Sequence, residues 1–223
     1  MISHAMEDYL KAIYKLQQTI SPVPTSALAD QMNLSPASVT NMCKKLAELH
    51  LLNHEPYQGV TFTEAGEKLA LEIIRHHRLL ELYLAEALNV PWDKVHEEAE
   101  KLEHVISEDL EERMAAALGD PRFDPHGAPI PTKTGTIFQP PSKPLSQMHA
   151  GNHLVVIEVD DADPELLRYL GKIGLYPGTK LTLQEYAPFE GPLTLQIGEH
   201  QHTIGHQAAK AVLVAIAETD SAN

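Results

Sequence analysis

Thr25-Ser26-Ala27-Leu28-Ala29-Asp30-Gln31-Met32-Asn33-Leu34-Ser35-Pro36-Ala37-Ser38-Val39-Thr40-Asn41-Met42-Cys43-Lys44-Lys45-Leu46 holds two short helical patterns separated by a tight turn. Leu28, Ala29 and Met32 recur at helical spacing in the first, and Val39, Met42, Cys43, Leu46 and Leu49 in the second. Ser35 stands where the second helix needs an N-cap, and Pro36 takes the first helical position, where its missing N–H costs nothing. Two helices in this relation form a helix-turn-helix, whose second member reads the major groove of DNA. Asn41 suits a base edge and Ala37 a thymine methyl, while Ser35, Ser38, Thr40 and Lys44 suit phosphates. Capping alone for Ser35, and packing alone for Thr40, are the competing readings.

The flanking segments extend this module. Tyr9, Leu10, Ile13, Tyr14 and Leu16 mark a helix before it, ended by Ser21-Pro22-Val23-Pro24. After it, Leu51, Leu52 and His54 alternate into Tyr57-Gln58-Gly59 and return through Val60 to Thr63, the pattern of a small hairpin or wing. A long helical pattern opens at Thr63-Glu64-Ala65-Gly66 and stops at Asn89-Val90-Pro91. A second helical stretch is expected over Trp92 to Leu118, through Val95, Leu102, Val105, Ile106, Leu110 and Met114. Residues 119–150 are rich in Pro and Gly and read as a segment of limited regularity. Beyond it, strands are expected at 153–159, 180–186, 193–198 and 211–216, with a short helix over 164–170. The fold class that follows is mainly α with a small β domain. Residues 1–63 make a winged helix-turn-helix, 64–140 a helical metal-binding and dimerisation domain, 141–150 a linker, and 151–223 a small β-barrel.

Charge at first argues against nucleic acid, since the chain carries 17 basic and 31 acidic side chains. The imbalance is uneven, however. Residues 1–63 hold four lysines against five acids, whereas residues 64–118 hold six cations against fourteen acids. Acidity therefore sits downstream of the DNA module, where a bound divalent cation would offset part of it. A single cysteine, Cys43, excludes disulfide frameworks and multi-thiolate zinc sites, and its apolar helical position marks it as core. No apolar run reaches membrane-spanning length, and Met1 to Tyr9 lack the basic start and apolar stretch of a signal peptide. A cytoplasmic protein without membrane association is expected.

Metal chemistry is suggested by His96, Glu100, Glu103 and His104, whose offsets of four, seven and eight share one helical face. His77 and Glu81 repeat an i, i+4 pair on the preceding helix. Carboxylates and imidazoles projecting from facing helices form bundle metal sites, and six donors without a thiolate favour Mn(II) or Fe(II). The competing reading is a solvated acidic face, because Glu97, Glu98, Glu108, Glu111 and Glu112 lie nearby. Asp8 by itself is a first-turn acid favoured by the helix dipole. His200, His202 and His206 read as exposed loop histidines.

Met6-Glu7-Asp8-Tyr9-Leu10-Lys11-Ala12-Ile13-Tyr14 resembles the opening of the DtxR/MntR metalloregulators. So do Ser38-Val39-Thr40, Gly59 to Gly66, Arg75-His76-His77-Arg78-Leu79-Leu80-Glu81, and Lys94-Val95-His96 through Glu103-His104. The resemblance is close over roughly residues 1–140 and architectural beyond, where it implies an SH3-like, FeoA-type domain. It implies a homodimer that binds palindromic operators when loaded with Fe(II) or Mn(II), most simply a repressor of metal uptake. It places Asp8, Glu100, Glu103 and His104 at the primary, activating site. It places His77, Glu81 and His96 at an ancillary site completed from the barrel domain, where Asp160, Asp161, Asp163 and Glu165 are on offer. Oxygen donors at 8 and 100 resemble the manganese-responsive branch, so Mn(II) is expected and Fe(II) is the alternative. Lys11 replaces a second acid of that branch and disfavours a close dinuclear site.

Two other functions compete with this reading. A helical-bundle metalloenzyme with a carboxylate/His di-metal site would leave the helix-turn-helix without a role, so no enzymatic activity is expected. A metal-independent DNA-binding adaptor would leave the donors without one.

Overall fold

Tyr9, Leu10 and Ile13 fall on one face of helix α1 (His4–Gln17) and bury it against α2 (Thr25–Met32) and α3 (Pro36–Glu48). The computed structural model that shows this describes residues 2–55 and 57–217. Leu10, Ile13, Leu28, Val39, Cys43 and Leu46 are fully buried there. Each large aliphatic side chain so removed from water contributes about 1.5–3 kcal/mol before chain entropy is counted. Asn33 ends α2 in the left-handed conformation, and the Ser35 hydroxyl caps α3 by accepting from the Ser38 amide at 3.2 Å. The wing is the hairpin β1 (Leu52–Glu55) and β2 (Gly59–Phe62). Val23 bridges to Val60 through a pair of 2.9 Å backbone bonds. Gly59 makes this possible: a Cβ at φ +113° would lie 2.4 Å from the Val23 carbonyl oxygen.

Cys43 lies inside this core, and burial pushes its thiol up to about 11. Because the thiolate is the reactive species, an alkylating reagent at pH 8 is expected to leave the native protein unmodified. The same reagent should add one group after unfolding in urea, read by intact mass. Prompt labelling of native protein would contradict this placement.

Helix α4 (Glu64–Leu88) runs 25 residues. The spacing predicts a single helical stretch over 92–118, and here the structure differs. It has α5 (Val95–Leu102), a turn, and α6 (Glu108–Ala117), so Glu103 and His104 lie just past a helix end. Ser107 is responsible for the restart, its hydroxyl accepting from the Leu110 amide at 3.3 Å and its carbonyl from that of Glu111 at 2.9 Å.

The C-terminal strands are β3 (Lys143–Pro144), β4 (His153–Val159), β5 (Lys180–Tyr186), β6 (Leu193–Ile197), β7 (His200–Ile204) and β8 (Val212–Ile216). Helices α7 (Pro164–Lys172) and α8 (His206–Lys210) lie between them. The strands form one antiparallel sheet in the order β3-β8-β4-β5-β6-β7. This is the expected SH3-like arrangement with one difference: the ladder is open, with β3 and β7 at its edges, rather than closed into a barrel. Within the segment read as a linker, Lys143 and Pro144 pair with Val214 and Leu213. A bulge between Val156 and Glu158 resets the alternation, so that Leu154, Val156 and Val159 all face the core. His200 and His202 lie on β7 rather than in a loop, and His206 opens α8.

By contacts the chain divides into two compact units. One comprises Met1–His77, Lys101–Glu111 and Pro131–Thr136; the other comprises Arg78–Glu100, Glu112–Ile130 and Ile137–Asn223. Among the described residues no helix is long and apolar enough to cross a membrane.

Candidate metal centres

In the first unit, α1 presents Asp8 and the turn after α5 presents Glu103 and His104, with donor atoms all within 4.8 Å of one another. His104 Nε2 lies 3.1 Å from Asp8 Oδ1 and 3.5 Å from Glu103 Oε1. Glu103 is fully buried, which is affordable only because its charge is answered on both oxygens. The Lys11 ammonium donates to Oε1 at 2.7 Å, and His77 Nδ1 lies 2.5 Å from Oε2. Burial would raise the Glu103 carboxyl, but the hydrogen bond and charge of His77, then of Lys11, hold it below its ordinary value. The carboxylate is therefore ionised and shaped for a cation.

In the second unit Glu81 is shared by two clusters, one with His96 and Asp161 and one with Asp124 and His126. His96 Nδ1 is 3.0 Å from Glu81 Oε1 and 3.3 Å from Asp161 Oδ2. Burial alone would lower this imidazole; the bonds to Asp161 and Glu81 instead push it up to about 10. Of the four acids offered near α7, Asp161 is the one that reaches His96. Asp163 caps α7 by accepting from the Glu165 amide at 2.8 Å, and Asp160 accepts from that of Ala162 at 3.0 Å.

Asp124 and His126 were not among the expected donors. They come from Phe123-Asp124-Pro125-His126-Gly127, inside the Pro/Gly-rich segment. A usable signal was present: two donors flanking a proline, whose locked φ fixes their separation. Asp124 Oδ1 accepts from the amides of His126 and Ala128 at 2.8 and 3.0 Å, which leaves Oδ2 buried without a hydrogen-bond partner. His126 Nε2 lies 2.7 Å from the Trp92 carbonyl oxygen, an acceptor only, so Nε2 carries the hydrogen and Nδ1 the lone pair. That Nδ1 is buried without a hydrogen-bond partner, 3.9 Å from Glu81 Oε2. Burial, then the Glu81 charge, drives the Asp124 carboxyl well above its ordinary range against the pull of Arg78. A buried lone pair facing two carboxylates fits a divalent cation, as does the Asp8/Glu103/His104 set.

The other two expected donors are Glu100 and His77. Glu100 belongs to the second unit, 3.6 Å from His96 Nε2. His77 belongs to the first and bonds Glu103 there. On α3, Ser35, Ala37, Ser38, Asn41 and Lys44 are exposed on one side, while Thr40 is half-buried and its hydroxyl donates to the Pro36 carbonyl at 2.8 Å.

An exposed reading helix, a wing and two nitrogen–oxygen donor sets together define a metal-responsive DNA-binding regulator. Comparison with known protein families agrees along the chain. The iron dependent repressor N-terminal DNA binding domain matches residues 1–60, its metal binding and dimerisation domain residues 63–132, and the FeoA domain residues 143–216. The iron-dependent repressor IdeR of Mycobacterium tuberculosis is 31% identical over 222 residues, covering 93% of this chain and 95% of that protein. Among solved structures, a manganese-dependent transcriptional repressor complexed with manganese superposes with a TM-score of 0.89 at 36% identity, covering 95% of this chain and all of that one. The manganese regulator SloR superposes at 0.77 and 31% identity, covering 95% and 98%. The chain belongs to the iron-dependent repressor family, a family of metal-dependent transcriptional repressors rather than enzymes.

Proposed function

We propose that this chain is a Mn(II)-activated repressor, acting in the cytoplasm as a homodimer on a palindromic operator that controls metal uptake, with Fe(II) as the competing activator. Donor chemistry carries the choice of ion: both sets are built from carboxylate oxygen and imidazole nitrogen, and the one thiol is buried in the DNA-binding core. Hard and borderline donors suit Mn(II), and no soft ligand favours a later ion.

Asp8, Glu103 and His104 form the activating site, and Glu81, His96, Asp124, His126 and Asp161 a second one. The family resemblance adds Glu100 to the first site and His77 to the second. When bound, a divalent cation supplies charge that carboxylates otherwise forced together must find elsewhere. Asp8 belongs to α1, which packs on α2 and α3, so its tie to the turn after α5 steadies the helix-turn-helix. That steadiness favours one presentation of the two α3 helices of a dimer, the condition for reading successive major grooves. Coupling of this kind is reciprocal, so operator DNA tightens metal binding by the same factor. On α3, Ser35, Ala37, Ser38, Thr40, Asn41 and Lys44 face or border the DNA.

An operator selected from random duplexes in Mn(II) tests this reading. Anisotropy should show tight binding in Mn(II), weaker binding in Fe(II) under anaerobic conditions, and none in EDTA. Asn41→Ala should cost about 1–3 kcal/mol on that operator only, whereas Lys44→Ala should weaken all sequences and reduce the salt slope by about one. Equal binding in EDTA would sink the proposal.

A further inference from the structure

We infer that Glu7, which is not a metal ligand, is the positioning residue that makes His104 one. The inference rests on the Asp8/Glu103/His104 site. Glu7 Oε2 lies 2.5 Å from Nδ1 of His104, while Nε2 on the far side of the same ring faces Asp8 at 3.1 Å and Glu103 at 3.5 Å. A carboxylate can only accept, so the Nδ1 position holds the hydrogen. A neutral imidazole with hydrogen on Nδ1 has its lone pair on Nε2, aimed at the two carboxylates. Without Glu7 the hydrogen is free to move to Nε2 and bond Asp8, which occupies the metal-facing nitrogen. Ligating histidines generally depend on such an outer acceptor.

A second contact restricts the ring's remaining freedom. His4, one turn before Asp8 on α1, stacks on His104 with centroids 4.6 Å apart and planes within 10°. The imidazole is thus held in plane by His4 and in tautomer by Glu7. Both partners come from the first turn of α1, so the helix that carries the ligand Asp8 also prepares the ligand His104. Glu7 itself lies on the wrong edge of the ring to share an ion with Nε2.

The test uses the full chain in a His96→Ala/His126→Ala background, so that calorimetry with Mn(II) reads the first site. Glu7→Ala is expected to weaken binding roughly 10–100-fold. Glu7→Gln keeps an oxygen that accepts the Nδ1 hydrogen and should restore most of the loss. Long-range proton–nitrogen NMR of the metal-free protein should find His104 protonated on Nδ1 in the parent and in Glu7→Gln, and on Nε2 in Glu7→Ala. If Glu7→Ala misfolds, Glu7→Gln and the parent tautomer still decide. Parent-like affinity for Glu7→Ala, or a parent His104 protonated on Nε2, would overturn the inference. So would equal losses in both variants with an unchanged tautomer. Glu103→Ala is the control: if it too leaves Mn(II) binding intact, the metal-site reading fails first.

Discussion

Glu103→Ala is expected to abolish Mn(II)-dependent operator binding, with an affinity loss at the first site exceeding the roughly 10–100-fold typical of an outer-shell change. Glu103 contributes a fully buried, ionised oxygen to the set and is the acceptor shared by Lys11 and His77. Truncation removes a ligand and the partner of two cationic or polar groups at once. Breaking such a buried pair from one side costs about 3 kcal/mol or more, so the metal-free protein should also melt earlier. Glu103→Gln separates the two effects, since it keeps the shape and loses the charge. Because His77 and Lys11 hold its pKa down, Glu103 favours folding above the unfolded carboxylate range, and that contribution is lost as the pH falls through its lowered folded value. Calorimetry, anisotropy with and without EDTA, and thermal melts measure these outcomes. Full metal response in Glu103→Ala would mean that the first site is elsewhere.

The second large effect is expected from Gly127→Ala, which adds a single methyl group. Gly127 has φ +89°, and a Cβ there would stand 2.0 Å from the Ile157 carbonyl oxygen of β4. Neither the strained backbone nor the backbone oxygen can yield cheaply. Left-handed strain costs of order 1–3 kcal/mol, and the collision adds a forced shift of the loop or of β4. A loss of about 3 kcal/mol lowers the melting temperature of a chain this size by roughly 6–12 °C. The same shift moves His126, whose carbonyl accepts from the Val159 amide at 2.8 Å and whose Nε2 is fixed on Trp92. Mn(II) binding at the second set should fall along with stability, while the first set keeps its affinity. A variant that melts with the parent and binds both ions normally would show that the turn is more pliant than its packing implies.

Which parts of this protein could be read in its sequence depended on the range of the forces involved. The helix-turn-helix was legible because each signal is local: the apolar spacing of Val39, Cys43 and Leu46, the cap at Ser35 and the proline at position 36 act within a few residues. The wing and four of the six C-terminal strands were legible for the same reason, through alternation and turn chemistry, whereas β3 and β7 were read as linker and loop. The break after α5 was missed because helical periodicity continues across it, and only the capping by Ser107 interrupts the chain. Donor types along α1, α4 and α5 were visible in the sequence. Which acid near α7 joins them was not, since Asp161 rather than its neighbours meets His96.

Residue type and short-range spacing thus determined by themselves a helix-turn-helix and a set of nitrogen and oxygen donors without a usable thiol. Tertiary structure alone decided that a Pro/Gly-rich segment delivers Asp124 and His126 to Glu81, and that Glu7 stands behind His104. The physical reason is that a donor becomes a ligand only when its lone pair is directed and its burial compensated. Both conditions are set by groups up to 97 residues away in the chain, as Glu7 and His104 show.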